Sequence, residues 1–201
     1  MNTRARKRGY TAVELMMAIS IFGIGVAGII SMEKVTSVSN QHAKNLGIAS
    51  HIAESWLDML STDAVMWNHP ATGDPTPSDL GQTAWLQSVG ANQDAAANWT
   101  FPAESTALDF GPGFDALGNH VNLTLNPGSA AFCSNIRLSW LYQPTQNGNG
   151  LIRAEVRVFW LRNGQTFTGD MCSAAALPRI NGAATTFHFV QKITAIRESN
   201  R

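Results

Sequence analysis

Tyr10 to Met32 form an apolar stretch of 23 residues interrupted by one charge, Glu14. A chain with such a run must bury it in lipid or in protein. An α-helix rises about 1.5 Å per residue, so about 20 residues cross a hydrocarbon core of ~30 Å. Arg4, Arg6, Lys7 and Arg8 precede the run, while only Lys34 and Lys44 follow closely, which orients the N-terminus to the cytoplasm. A secretory signal peptide starts the same way, but its apolar region is usually about 7–15 residues and ends at a small-x-small cleavage site. Here the run is longer and no convincing site follows it.

The helical pattern also continues past the membrane. Glu33 to Leu60 contains no proline, and Leu46, Ala49, Ile52, Ala53, Trp56, Leu57 and Leu60 recur at steps of three and four. The expectation is one helix from Tyr10 to about Ser61, about 75 Å long. Residues 10–32 would be its membrane half and 33–61 an amphipathic half, packed on a globular domain of residues 62–201.

A carboxylate in an apolar helix costs about 2.5–3.5 kcal/mol on insertion scales, so Glu14 should have a function and a partner. Its context is Arg8-Gly9-Tyr10-Thr11-Ala12-Val13-Glu14-Leu15-Met16. This segment resembles the signal of type IV prepilins: a short basic leader ending in Gly, then an aromatic residue, Thr, and Glu at the fifth mature position. The resemblance implies that a prepilin peptidase cuts between Gly9 and Tyr10 and N-methylates the new Tyr10 amine. It also implies a partner for Glu14, the α-amine of a neighbouring subunit's first residue. Tyr10 stands where Phe is commoner, and Ala12 where Leu is frequent.

In the helix core, Gly23, Gly25 and Gly28 read as a small-residue face that permits close helix packing. Major pilins usually carry a proline deeper in this helix, where this sequence has Ser31. The segment is similar to PilV-type minor pilins and to some minor pseudopilins of type II secretion. The resemblance implies a minor pilin that primes assembly or sits at the tip of a pilus, supporting motility and adhesion without catalysis. Its partners would be other pilin subunits, the peptidase and the inner-membrane assembly platform. It would first span the inner membrane once, leader in the cytoplasm and globular domain in the periplasm, and then enter an extracellular filament. A minor pseudopilin, or a membrane-tethered periplasmic enzyme or binding protein, are the alternatives.

The globular part reads as a β-meander. Ile136, Leu138, Trp140 and Tyr142 alternate with Arg137, Ser139 and Leu141, and Leu151–Leu161 is rich in β-branched and aromatic residues. Asn147-Gly148-Asn149-Gly150 joins these runs. Asn163-Gly164 should turn the chain into a strand over Gln165–Thr168. His120–Leu125 and Thr186–Ile196 add two more strands. His69 to Pro77 read as an acidic turn-rich loop, and Trp85, Leu86 and Trp99 as anchors of a short helix or loop on the sheet. The expected fold class is α+β: a long N-terminal helix packed on an antiparallel meander, which is also what the pilin resemblance implies.

Two cysteines, Cys133 and Cys172, fit one structural disulfide in an oxidising compartment or a pair of buried thiols. The net charge of zero hides an asymmetry. Asn45 to Asn135 contains nine acids and no Lys or Arg, whereas residues 136–201 carry eight basic residues against three acids. Without residues 1–9, ten basic and fourteen acidic residues remain. No basic stripe interleaved with aromatics argues for nucleic acid. The five histidines (42, 51, 69, 120 and 188) lack metal-ligand spacing, and no nucleophile elbow, zinc-protease helix or phosphate loop occurs. No cofactor is expected. The sequons at Asn98 and Asn122 carry little weight after a bacterial-type leader, and the six Trp read as core.

Overall fold

A computed structural model describes residues 11–68, 80–89, 98–105, 108–126, 128–143, 149–162, 164, 166–167, 170–182 and 185–198. Two compact units divide the chain, residues 1–45 and residues 46–201. The predicted leader, the Gly9–Tyr10 junction, the His69–Pro77 loop and the 144–148 turn lie outside the described residues.

The first element is α1, Ala12–Asn68. No proline interrupts it, and Ser and Thr hydroxyls that would otherwise compete with its backbone are absorbed locally. Ser20 donates to the Met16 carbonyl at 2.8 Å, Ser31 to Gly28 at 2.8 Å and Thr36 to Met32 at 2.9 Å. The helix runs past the expected stop near Ser61, because its buried stripe continues at helical spacing through Leu60, Asp63, Ala64 and Trp67.

The second unit is an antiparallel sheet of β1 (Gly113–Phe114), β2 (Phe132–Tyr142), β3 (Leu151–Leu161) and β4 (Phe187–Arg197), in sequence order. Strand alternation gives it two faces. Even-numbered residues, among them Ile136, Leu138, Trp140, Ile152, Ala154, Val156, Val158 and Ile196, form one core with Ala49, Ile52, Ala53, Trp56, Leu60 and Trp67 of α1. Trp56 meets Trp85 and Phe110 edge-on, with centroids 5.3 and 4.7 Å apart, and Trp67 meets Trp140 at 5.8 Å. Gly150 is required here, since a Cβ at that position would stand 2.9 Å from both Trp67 and Trp140 ring carbons. Full burial of each such aromatic contributes about 1.5–3 kcal/mol.

Odd-numbered residues face the other way. At one end Cys133, Phe159 and Phe187 form a second core with Phe167, Met171, Cys172 and Ile180 of the short helix α2 (Leu177–Gly182) and the turn before it. The Cys133–Cys172 disulfide closes this core, with Cα atoms 5.3 Å apart. Linking residues 39 apart in sequence stabilises by about 3–4 kcal/mol in the chain-entropy model.

Three expectations need correction. The strand over His120–Leu125 is reduced to one bridge between His120 and Phe114. The chain turns there because the Asn122 side chain accepts from Leu125 N at 3.0 Å and its carbonyl from Asn126 N at 2.9 Å. The hairpin after Leu161 does turn, with Gly164 at φ 69° donating to the Leu161 carbonyl at 3.1 Å. Thr166 and Phe167 are nevertheless not strand, because β4 occupies the place beside β3 and Phe167 pairs with Ala130 instead. Finally, the alternation of β2 fails at a bulge between Trp140 and Tyr142, which leaves Leu141 and Tyr142 exposed.

Asp63 ties α1 to the segment beneath the sheet. Its carboxylate accepts from the backbone N–H groups of Ala84, Trp85 and Leu86 at 2.7, 2.8 and 3.0 Å, capping the 3-10 turn Leu86–Val89. Asp63→Ala strands three donors, two of them in buried bonds. It should lower stability by about 2–4 kcal/mol in denaturant unfolding, whereas exposed Asp58→Ala should change it little. Equal effects of the two substitutions would contradict this account of Asp63.

Candidate functional site

In the first unit, the helix presents apolar side chains on every side. Ile21 and Phe22 are each 72 % exposed and Ile24 76 % exposed. These side chains are exposed among the described residues, and this part of α1 is a candidate membrane anchor by its length and composition.

At its start stands a reciprocal cap. Thr11 Oγ1 accepts from Glu14 N at 3.3 Å, while Glu14 Oε2 accepts from Thr11 N at 3.0 Å and from Thr11 Oγ1 at 3.1 Å. This is a capping box with Thr11 at N-cap and Glu14 three residues on. It follows from the Thr-x-x-Glu spacing, a signal legible in the sequence that points to Thr11 as the residue holding Glu14. Two of the helix's otherwise unpaired N–H groups are satisfied, and the carboxylate lies against the positive end of the helix dipole. Both bonds to Glu14 fall on Oε2.

The three glycines do not share a single face. At about 100° per residue, Gly25 and Gly28 are neighbours on one side of α1 and Gly23 lies well round the helix. Nothing stands within 4 Å of where a Cβ would be at any of them, so the Gly25–Gly28 side is open to close approach by another helix. Gly9 and Tyr10 lie outside the described residues.

The second unit contains a charged cluster that pattern reading missed. On the odd face of the sheet, Glu155 is 2 % exposed and is held by Arg137, by Arg153 Nε at 2.7 Å and by Gln191 Nε2 at 2.9 Å. Register brings them together, with Arg137 and Ile193 directly opposite Glu155 on either side. Arg157 donates to Asn135 at 3.1 Å and Asn181 at 3.0 Å, and the Trp99 ring covers it at 4.4 Å. Burial, with Arg137 nearby, lowers the Arg157 guanidinium to about 10, so it stays charged at neutral pH. Trp99 thus meets the sheet through the guanidiniums of Arg137 and Arg157. His120 lies between Glu104 (3.6 Å) and Asp109 (3.4 Å), on opposite ring nitrogens; His42 and His51 are exposed on α1. These contacts hold the fold together. The open features are the start of α1 and its apolar surface.

Thr11→Ala should fray the first turn of α1, by about 0.5–2 kcal/mol in local stability. Amide hydrogen exchange of residues 12–15 in detergent micelles should accelerate accordingly, and Thr11→Ser should restore protection. Unchanged exchange in the alanine variant would mean that the box does not hold the helix end.

No protein-family model matches this sequence, and neither a curated protein nor a solved structure matches it.

Proposed function

We propose that this chain is a type IV pilin-like subunit of the minor class, which primes or caps a filament after cleavage between Gly9 and Tyr10 and methylation of the Tyr10 amine. The observation that carries the reading is Glu14, the one charge in 23 apolar residues, at a fixed step from Gly9, Tyr10 and Thr11. Among the described residues its carboxylate is held locally, by Thr11. Thr11 offers hydrogen bonds but no positive charge. A neighbouring subunit's α-amine would supply that charge when two helices pack in a dry environment, and pairing would offset part of the desolvation cost of both ions.

The rest of the chain supports the same reading. An apolar helix segment with exposed side chains serves first as anchor in the inner membrane and later as filament core. The sheet unit beyond it carries the polar surface for the periplasm and then the outside of the filament, and its disulfide suits an oxidising compartment. Other pilin subunits, the prepilin peptidase and the assembly platform are the partners, and motility and adhesion are the processes served. The role is structural: packing and presentation.

Glu14→Ala tests this directly. The variant should still be cleaved and inserted, since removing the charge favours the lipid phase by about 2.5–3.5 kcal/mol on insertion scales. Immunoblots of sheared filaments should lack it, with the subunit retained in the inner membrane. Incorporation at the wild-type level would overturn the assigned role of Glu14.

A further inference from the structure

We propose that the outer edge of β4 takes up an acidic, extended segment of another protein as a fifth strand of the sheet. The contact lies wholly within residues 46–201 and needs neither Glu14 nor the cut after Gly9. It therefore goes beyond the filament reading and stands or falls separately.

Strand order leaves β4 at one margin of the sheet, 11 residues long and paired with β3 in unbroken register from Phe187 to Arg197. The opposite margin is partly covered: β1 lies against β2 at Phe132 and Cys133, and Thr100 and Ile136 exchange two bonds of 2.8 Å. The ladder's parity is fixed at both ends of β4. Arg162 N donates to the Thr186 carbonyl at 3.0 Å, and Glu198 N to the Gly150 carbonyl at 2.9 Å. Even-numbered residues of β4 therefore bond to β3, and odd-numbered ones turn their N–H and C=O groups outward. The Phe187 carbonyl accepts from Arg162 Nε at 3.2 Å. From Phe189 to Ala195, no strand among the described residues meets the outward groups. Proline and bulges commonly blunt such an edge, and β4 has neither; its lysine, Lys192, is held by Glu54. An edge of this kind binds an extended chain through main-chain hydrogen bonds.

The surroundings of the edge select the charge of the partner. On the odd-numbered face, Ala195 stands between the edge and Arg153, whose side chain is 34 % exposed, and Arg197 is exposed two residues on. Glu155, the one acid of β3 and β4, is buried and already held by Arg137 and Arg153. An added strand lies one spacing, about 4.8 Å, beyond Ala195, and about 10 Å from Arg153. A glutamate on it, opposite Ala195, reaches toward both guanidiniums, because alanine leaves the way open. Ile193, 53 % exposed, offers apolar surface beside that position. A second β4 does not meet the requirement, since it brings Lys192 and Arg197 and no acid. The partner segment therefore carries acidic side chains at alternate positions, all on the odd-numbered face.

The test uses the full chain in detergent micelles and two end-blocked peptides, one alternating glutamate with valine and one alternating lysine with valine. Fluorescence anisotropy should show binding of the glutamate peptide, weakened by high salt, and none of the lysine peptide. Amide exchange followed by NMR should then slow at Phe189, Gln191, Ile193 and Ala195. It should stay unchanged at Val190, Lys192 and Thr194, whose N–H groups already bond to β3. Ile193→Pro removes an outward N–H without touching the β3 ladder and should abolish binding, whereas Ile193→Thr should keep it. Arg197→Glu, exposed and outside either core, should weaken binding about tenfold and carries the test if the proline variant fails to fold by circular dichroism. Binding of neither peptide, equal binding of both, or binding unmoved by these substitutions would overturn the proposal. So would protection of the same four amides in the chain alone that rises with its concentration, which would assign the edge to a second copy.

Discussion

The packing of Trp56, Leu60 and Trp67 onto the even-numbered face of the sheet fixes the geometry of the whole globular unit. These residues are 0–2 % exposed, and removing one such side chain from a close-packed core costs about 2–5 kcal/mol. Their spacing sets the rotation of α1, and that rotation places Asp63 under the backbone N–H groups of residues 84–86. It also leaves Glu54 free to meet Lys192 at the rim, where hydrogen bonding and charge from Lys192 hold the Glu54 carboxyl below its usual range. One helix therefore has two solvation regimes. Up to Met32 it is apolar on all sides apart from Glu14 near its start, while from residue 46 it is apolar on the side that meets the sheet.

With one face given to the helix, the other face of the sheet had to be made stable separately. At the Cys133 end this is done with aromatic packing and the disulfide. In the middle it is done with a buried carboxylate and its guanidinium and amide partners. Such a buried cluster costs much of its attraction in desolvation, and removing one partner destabilises by several kcal/mol, on the order of 3–5. It does specify register: Arg137 and Ile193 face Glu155 only if β2, β3 and β4 align as they do, and a one-residue slip would send the charges into the helix-facing core.

Much of the fold was legible in the sequence where one physical rule dominated. The stripe on α1 and the β-branched run of β3 declared themselves because burial is periodic, and β3 occupies the expected Leu151–Leu161. Short-range chemistry overrode periodicity elsewhere. Asn122 turned a strand-like segment, a bulge ended the alternation of β2, and β4 took the edge expected for residues 165–168. The cluster around Glu155 was hidden because its members are far apart in sequence and meet only through register. Asp63 was half visible, as an acid in an apolar stripe, but its N–H partners lie in a segment with no periodic signal. At the start of α1, Glu14 stood out by its charge, while Thr11 was read as part of a motif when its spacing already described a cap.

The account depends most on where the chain is cut. Intact mass measurement of the protein recovered from membranes, with sequencing of its N-terminal peptide, tests this directly. The account predicts a mature chain beginning at N-methylated Tyr10 that stays with the membrane fraction, its Cys133–Cys172 bond formed. An N-terminus beyond residue 27, or a chain released as a free periplasmic protein, would contradict it.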